Sequence, residues 1–307
     1  MKNKDLQKTV VTVGSFDGIH RGHMVLLQRV ADVAAQHNLK SMALTFWPHP
    51  RRVFEPKDKA PLMLNTPEEK KMLLQQTDVD EAQILPFDKY LSQMTACEFV
   101  MKVIKKKYNA QYLIAGKDHN FGKDAGGGMK NLIGINNYHG LQIEIVDLEM
   151  LDCTVKFSSS AIREALLNGD LMLANKILGY EYIISGKVTS GNRIGRSIGF
   201  PTANIETPDY KLIPKEGVYS VNVKIGSETF YREGMMYIGK RPVLKQNEQK
   251  PLVEVHIFDF DQQIYGQEIT AALTCRIRNE IQFENIDQLA EQLLRDKEIC
   301  KNRIANK

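Results

Sequence analysis

The sequence predicts an α/β domain followed by an all-β domain, and three features carry that expectation. From Val10 to about Gly179, short apolar runs alternate with helix-like segments, the pattern of a parallel sheet covered by helices. After Tyr180, short β-type runs separated by Gly, Asn, Asp and Pro take over, as in an antiparallel barrel or sandwich. The final stretch, "NIDQLAEQLLRDKEICKNRI", returns to helical spacing. The expected domains are therefore 1–179 and 180–307, and 307 residues are enough for two separate cores.

The elements follow in order. "TVVTV" reads as a strand and "MVLLQRVADVAAQHN" as the helix after it. "SMALTF" is the next strand, and "TPEEKKMLLQQT" the next helix, with Thr66 as N-cap and Glu69 as its capping-box partner. "AQILPF", "AQYLIAG" and "LQIEIVDL" are strands, and "TACEFVMKVIKKKY" is a helix whose Lys105–Lys107 form a solvated end. "SSSAIREALLNGDLMLANKILG" reads as two short helices joined near Gly169, and it is assigned to the first domain. In the second domain the strands are expected in "YIISGKVTSG", "EGVYSVNVKIGSETF", "REGMMYIGKRPV", "PLVEVHIFDF" and "QEITAALTCRIR".

Composition removes several function classes. The formal net charge is +4, which suits anionic small molecules, and without a dense Lys/Arg block no nucleic-acid partner is expected. No apolar run is long enough to span a bilayer, and Met1–Lys8 is too polar for a signal peptide, so no membrane association is expected. Cys97, Cys153, Cys275 and Cys300 are scattered with no CxxC spacing, which fits reduced thiols in a cytoplasmic protein. The sequence sets no oligomeric state.

Chemistry concentrates first in "VTVGSFDGIHRGH", where a strand turns into a helix and His20 and His23 stand on either side of Arg21 and Gly22. In an open α/β sheet, ligands bind beyond the carboxyl ends of the strands, and the unpaired N–H groups of a following helix favour phosphate. Gly22 would let the backbone approach such a ligand, and both imidazoles would donate to phosphate oxygens. On spacing alone the pair also admits a structural turn, or a metal pair that lacks a third ligand.

"GSFDGIHRGH" resembles the HxGH signature of the nucleotidylyltransferase superfamily, and "FSSSAIREAL" its second shared motif. "TFWPHPRRVF", "LPFDKYLSQMTACEFV" and "IAGKDHNFGKDAGGG" resemble the FMN adenylyltransferase module of bacterial FAD synthetases. "GKVTSGNRIGRSIGFPTANI" is similar to the riboflavin kinase signature, with its PTAN core at Pro201–Asn204, and "EGVYSVNV", "VEVHIFDFDQQIYGQEI" and "RIRNEIQFENIDQL" follow in that family's order. The whole chain thus resembles the bifunctional riboflavin kinase/FAD synthetase family.

The resemblance implies a Rossmann-like nucleotidylyltransferase domain and an antiparallel barrel kinase domain. It implies phosphorylation of riboflavin by ATP to FMN, then adenylylation of FMN to FAD with release of pyrophosphate, both with Mg²⁺ or another divalent cation. For adenylyl transfer it implies His20, His23 and Arg163 as catalytic, with Gly14, Ser15, Phe16, Asp17, Gly22, Ser158 and Ser159 at the nucleotide. It also implies that Pro48, Pro50, Asp118 and Phe121 lie in segments that contact the flavin, as they do in similar enzymes. For the kinase it implies Glu254 as catalytic base, Gly195, Gly199, Pro201, Thr202 and Asn204 at the nucleotide, Thr202 and Asn204 at the metal, and Arg278, Glu280 and Phe283 at the flavin.

The kinase residues also follow from chemistry. A ribityl hydroxyl is a weak nucleophile and needs a base, and Glu254 shares a strand face with His256. Thr202 and Asn204 are likewise two apart and offer the hard oxygens that Mg²⁺ prefers. Departures from the family pattern include Ser15 and Tyr237 where Asn is common, Asn120 where Arg is common, and Val243 for Thr. The alternatives are a chain with one active half, or a flavin- or nucleotide-binding regulator without turnover, for which RNA binding to a basic face would be the mark.

Overall fold

The apolar runs of the first half become five parallel strands, β1 (Thr9–Val13), β2 (Lys40–Trp47), β3 (Glu81–Pro86), β4 (Ala110–Gly116) and β5 (Gln142–Val146). The computed structural model describes residues 7–117, 140–147, 157–191, 194–239 and 251–305. Two compact units divide the chain, Met1–Ser158 and Ser159–Lys307.

In the first unit the sheet order is β3-β2-β1-β4-β5. The chain winds outward from β1 in both directions, so the order reverses between β1 and β4, and the loop leaving β1 opens at the crevice where such sheets bind ligands. β1 is buried along its whole length, which is why it reads as an unbroken apolar run. The helices are α1 (Arg21–His37), α2 (Pro50–Phe54), α3 (Pro67–Leu74), α4 (Lys89–Ser92) and α5 (Ala96–Phe99). Thr66 and Glu69 form the expected reciprocal capping box. The helix expected over "TACEFVMKVIKKKY" is α5, itself opened by a Thr95–Glu98 capping box, and it runs on as a π-helical stretch, Val100–Lys107. One core of this unit joins Val11, Leu44 and Leu113 of the sheet to Phe99 and Ile104.

The second unit opens with α6 (Ser159–Asn168) and α7 (Leu171–Leu178), joined at Gly169, whose φ of +83° favours glycine. Then come β6 (Tyr182–Thr189), α8 (Ile194–Ser197), β7 (Ala203–Glu206), β8 (Gly217–Ile225), β9 (Arg232–Gly239), β10 (Leu252–Ile257), β11 (Glu268–Arg278) and α9 (Ile286–Ala305). The strands close a barrel in the order β10-β7-β6-β11-β8-β9, with every pair antiparallel. β7 is a strand that the sequence pattern does not announce, because it has only four residues directly after Pro201 and Thr202. α9 is tied down by a bidentate ion pair between Arg278 and the fully buried Asp296 (2.8 Å), and by Cys300, which is packed beside Phe258.

By compactness the chain divides after Ser158, and α6 and α7 then fall in the same unit as the barrel. Asn175 Nδ2 donates to the Leu273 carbonyl (2.9 Å), Asn175 Oδ1 accepts from the Tyr182 amide (2.9 Å), and the Lys215 amide donates to the Leu166 carbonyl (3.0 Å). Leu166, Leu171, Ile177 and Leu178 are buried. Each such side chain contributes about 1.5–3 kcal/mol when fully buried, against a typical whole-domain stability of about 5–15 kcal/mol. A fragment beginning at Ser159 is therefore expected to fold, and one beginning at Tyr180 to melt at markedly lower temperature or aggregate. Equal melting curves for the two fragments would show that the helix pair adds nothing to the second core.

Candidate functional site

The loop after β1 starts where the Gly14 amide donates to the Leu44 carbonyl (3.0 Å). Phe16 is fully buried, and its ring meets the edge of His23 with centroids 5.2 Å apart. Asp17 is buried as well, and its Oδ1 accepts from the Leu64 amide (3.0 Å). Phe16 and Asp17, expected at the nucleotide, thus hold the loop in shape. His20 is the N-cap of α1, with its Nδ1 accepting from the His23 amide (3.4 Å), and the two imidazoles stack at 3.8 Å with 17° between planes.

This capping bond decides the state of His20. An Nδ1 that accepts carries no proton, so the neutral ring bears its hydrogen on Nε2. Burial pushes the His20 pKa down to about 4, so the ring stays neutral through the physiological range. The expected pair of imidazole donors is therefore asymmetric, because one nitrogen of His20 is already spent on the helix start.

Pro48 and Pro50 follow β2 at its carboxyl end, with Pro50 in the first turn of α2 and His49 as its N-cap. Asp118 and Phe121 lie outside the described residues, as do Asn120 and Val243. Ser158 ends the first compact unit, and Ser159 and Arg163 stand in the first turns of α6, within the second.

In the barrel, Glu254 on β10 pairs in register with Asn204 on β7 and with Tyr237 on β9. Burial holds its carboxyl above the ordinary carboxylate range, and a hydrogen bond from the Thr202 hydroxyl opposes that shift. Asn204 is buried, and a side chain at Gly191 would collide with its amide, a Cβ there lying 2.0 Å from Nδ2. Gly195 is equally constrained, since a Cβ would sit 2.2 Å from the Phe200 carbonyl oxygen, and Gly199 takes a left-handed φ of +81°.

Two cavities share Thr202 as a lining residue. One of about 430 Å³ is lined by Gly195, Phe200, Tyr237, Glu254, His256 and Phe283, among others. The other, of about 270 Å³, is lined by Arg196, Val255, Ile257, Phe260 and Tyr265. The alternation of β10 sends Glu254 and His256 to the first and Val255 and Ile257 to the second, while Thr202 lines both. Arg278 also lines the larger cavity, with its guanidinium committed to Asp296, and the Glu280 carboxylate accepts from the Tyr237 hydroxyl (2.5 Å).

The FAD synthetase family model matches residues 2–161, and the riboflavin kinase family model matches residues 178–304. A bifunctional riboflavin kinase/FMN adenylyltransferase from Haemophilus influenzae is 37% identical over 97% of this chain and 95% of its own length. The chain belongs to the bifunctional riboflavin kinase/FMN adenylyltransferase family. The Bacillus subtilis member is 34% identical over 95% of this chain and 91% of its own. A crystal structure from Streptococcus pneumoniae, described as a macrolide-efflux protein, superposes with a TM-score of 0.83 at 35% identity, covering 97% of this chain and 96% of that one. Among the described residues no helix is long and apolar enough to cross a membrane.

Within this family frame, two features go beyond the motif reading. His256 Nδ1 donates to the Pro201 carbonyl (2.8 Å), so its neutral ring is protonated on Nδ1 and tethers the PTAN segment to β10. At Gly22 a Cβ would lie 3.2 Å from His20 Nδ1 and 3.3 Å from Cε1, so the glycine makes room for the imidazole. Gly22→Ala is expected to displace the stacked ring by a few tenths of an ångström and to lower FAD formation by roughly tenfold, since misplacement near 1 Å can cost about 10². Riboflavin phosphorylation by the same variant should be unchanged. Both rates measured on one preparation check this.

Proposed function

We propose that the chain performs two successive reactions, riboflavin and ATP to FMN and ADP in the barrel, and FMN and ATP to FAD and pyrophosphate in the α/β unit. The observation that carries the kinase reading is the place of Glu254, a half-buried carboxylate at the larger cavity, bonded to Thr202, which lines both cavities. Riboflavin would occupy the larger cavity, beside Phe283, and the nucleotide the smaller one. Glu254 takes the proton of the terminal ribityl hydroxyl as its oxygen attacks the γ-phosphorus, and ADP leaves.

In the α/β unit an FMN phosphate oxygen attacks the α-phosphorus of ATP and pyrophosphate departs, with no covalent enzyme intermediate. His20 and His23, at the N-terminal end of α1, stabilise the charge that develops on the transferring phosphate. Ser158, Ser159 and Arg163 are assigned to the leaving pyrophosphate on the strength of the motif they form. The Thr202 hydroxyl and the Asn204 amide oxygen fit a Mg²⁺ ion, which neutralises phosphate charge when bound. Among the described residues no cluster of three His, Cys, Asp or Glu side chains could hold a metal, so phosphate oxygens and water would complete the shell.

Incubation with riboflavin, ATP and Mg²⁺, followed by chromatography, tests the whole reading. FMN followed by FAD is the expected course, and tight flavin binding without either product would turn the reading to a regulator.

A further inference from the structure

The loop between β1 and α1 runs an unfavourable course. Phe16 (φ 43°) and Ile19 (φ 37°) are left-handed without being glycine, with Gly18 (φ 89°) between them. Such backbone persists only where its surroundings hold it. The holding comes from one stretch, Leu64–Lys70, together with Thr45 of β2. The Leu64 amide donates to Asp17 Oδ1 (3.0 Å), and the Gly18 amide donates to Asn65 Oδ1 (2.8 Å). Lys70 Nζ donates to the Ser15 carbonyl (2.6 Å) and to Thr45 Oγ1 (3.3 Å), and the Thr45 hydroxyl donates to the same Ser15 carbonyl (3.0 Å).

Lys70 is the unusual member of this set. The Thr66–Glu69 capping box fixes where α3 begins, and that phase turns Lys70 inward, 3% exposed, beside the buried Leu73 and Leu74. Both of its hydrogen-bond acceptors are neutral, and the carboxylate whose field it feels is Asp17. Burial pushes its pKa down to about 8. A leucine or methionine would fill this space without desolvating an ammonium, so packing alone does not account for a lysine here.

We propose that Lys70 is a positioning residue for adenylyl transfer: by gripping the Ser15 carbonyl it fixes the left-handed loop and, through Phe16, the stacked His20–His23 pair. The inference rests on the reading of that pair as the adenylyl-transfer site. Lys70 touches neither nucleotide nor flavin in this scheme, and its effect reaches the chemistry only through the loop.

The test is Lys70→Met in the full chain, which keeps the apolar stem and removes the donors. FAD formation from FMN and ATP, normalised to the folded fraction from thermal unfolding, is expected to fall roughly 10–100-fold. Riboflavin phosphorylation by the same preparation should be unaltered, and the ¹⁵N resonances of the His20 and His23 rings should shift in the folded variant. A merely structural lysine would lower the folded fraction and leave turnover per folded molecule, and those resonances, in place. That result would overturn the proposal. Should the methionine variant not fold, Thr45→Val removes one of the two donors to the same carbonyl, and a fall of roughly threefold to tenfold is expected. An unchanged rate in a folded Thr45→Val protein would then overturn it. If the unaltered chain makes no FAD, the reading of the histidine pair fails and this inference falls with it; FAD made equally well with and without Lys70 removes this inference alone.

Discussion

Replacing His23 by alanine is expected to lower FAD formation from FMN by roughly 10²–10³, the usual cost of losing a preorganised donor to a transition-state phosphate. Riboflavin phosphorylation should continue at its normal rate, because Thr202, Asn204 and Glu254 lie in the other compact unit. His23 is a cleaner probe than His20. The Nδ1 of His20 caps α1, so His20→Ala would also remove an N-cap worth about 1 kcal/mol. Truncation at His23 also removes the ring that contacts Phe16 and His20, so His23→Gln, which keeps bulk and a donor, serves as the companion. Its FAD rate should lie between those of the alanine variant and the parent. An alanine variant that folds and makes FAD at the parental rate would move the transfer chemistry away from this helix start.

What the sequence made legible was mostly local. The alternation of apolar runs and helical segments is the parallel sheet of the first unit, and the capping box of Thr66 and Glu69 is a contact between residues three apart. Where partners lie far along the chain, the pattern gave no signal. α7 reads as an ordinary amphipathic helix, and it is bonds to residues far along the chain, such as Asn175 to the Leu273 carbonyl, that tie it to the barrel. β7 is too short to alternate visibly, although its pairing sets Asn204 against Glu254. Lys70 sits in "TPEEKK", a polar run that looks like a solvated helix start, and its burial depends on Ser15 and Thr45, which are distant in sequence. The motifs named Phe16, Asp17 and Gly22 as ligand-binding, but spacing could not show that each also packs against the loop or the histidine it supports.

The largest effect is expected at Glu254. Glu254→Gln keeps the size of the side chain and an oxygen to accept from the Thr202 hydroxyl, but it removes the base, so FMN formation should fall by roughly 10²–10⁴. FAD formation from supplied FMN should persist. Burial raises the Glu254 pKa above that of an ordinary carboxylate, so the acid limb of kcat/KM for riboflavin should lie at higher pH than a solvated glutamate would give. The residual activity of the glutamine variant should lack that limb. The same shift has a sign for stability. A carboxyl whose folded-state pKa is raised favours the folded protein when protonated, and that contribution is lost as pH rises through the folded pKa. Above that folded pKa the parent carries an ionised, partly desolvated carboxylate, and there the neutral amide should leave the barrel at least as stable. A melting temperature equal to or above that of the parent, together with the lost FMN activity, is the expected pair of results. Retained phosphorylation in the folded variant would show that Glu254 is not the base. A lowered melting temperature with both activities reduced would instead mark it as a structural residue of the barrel.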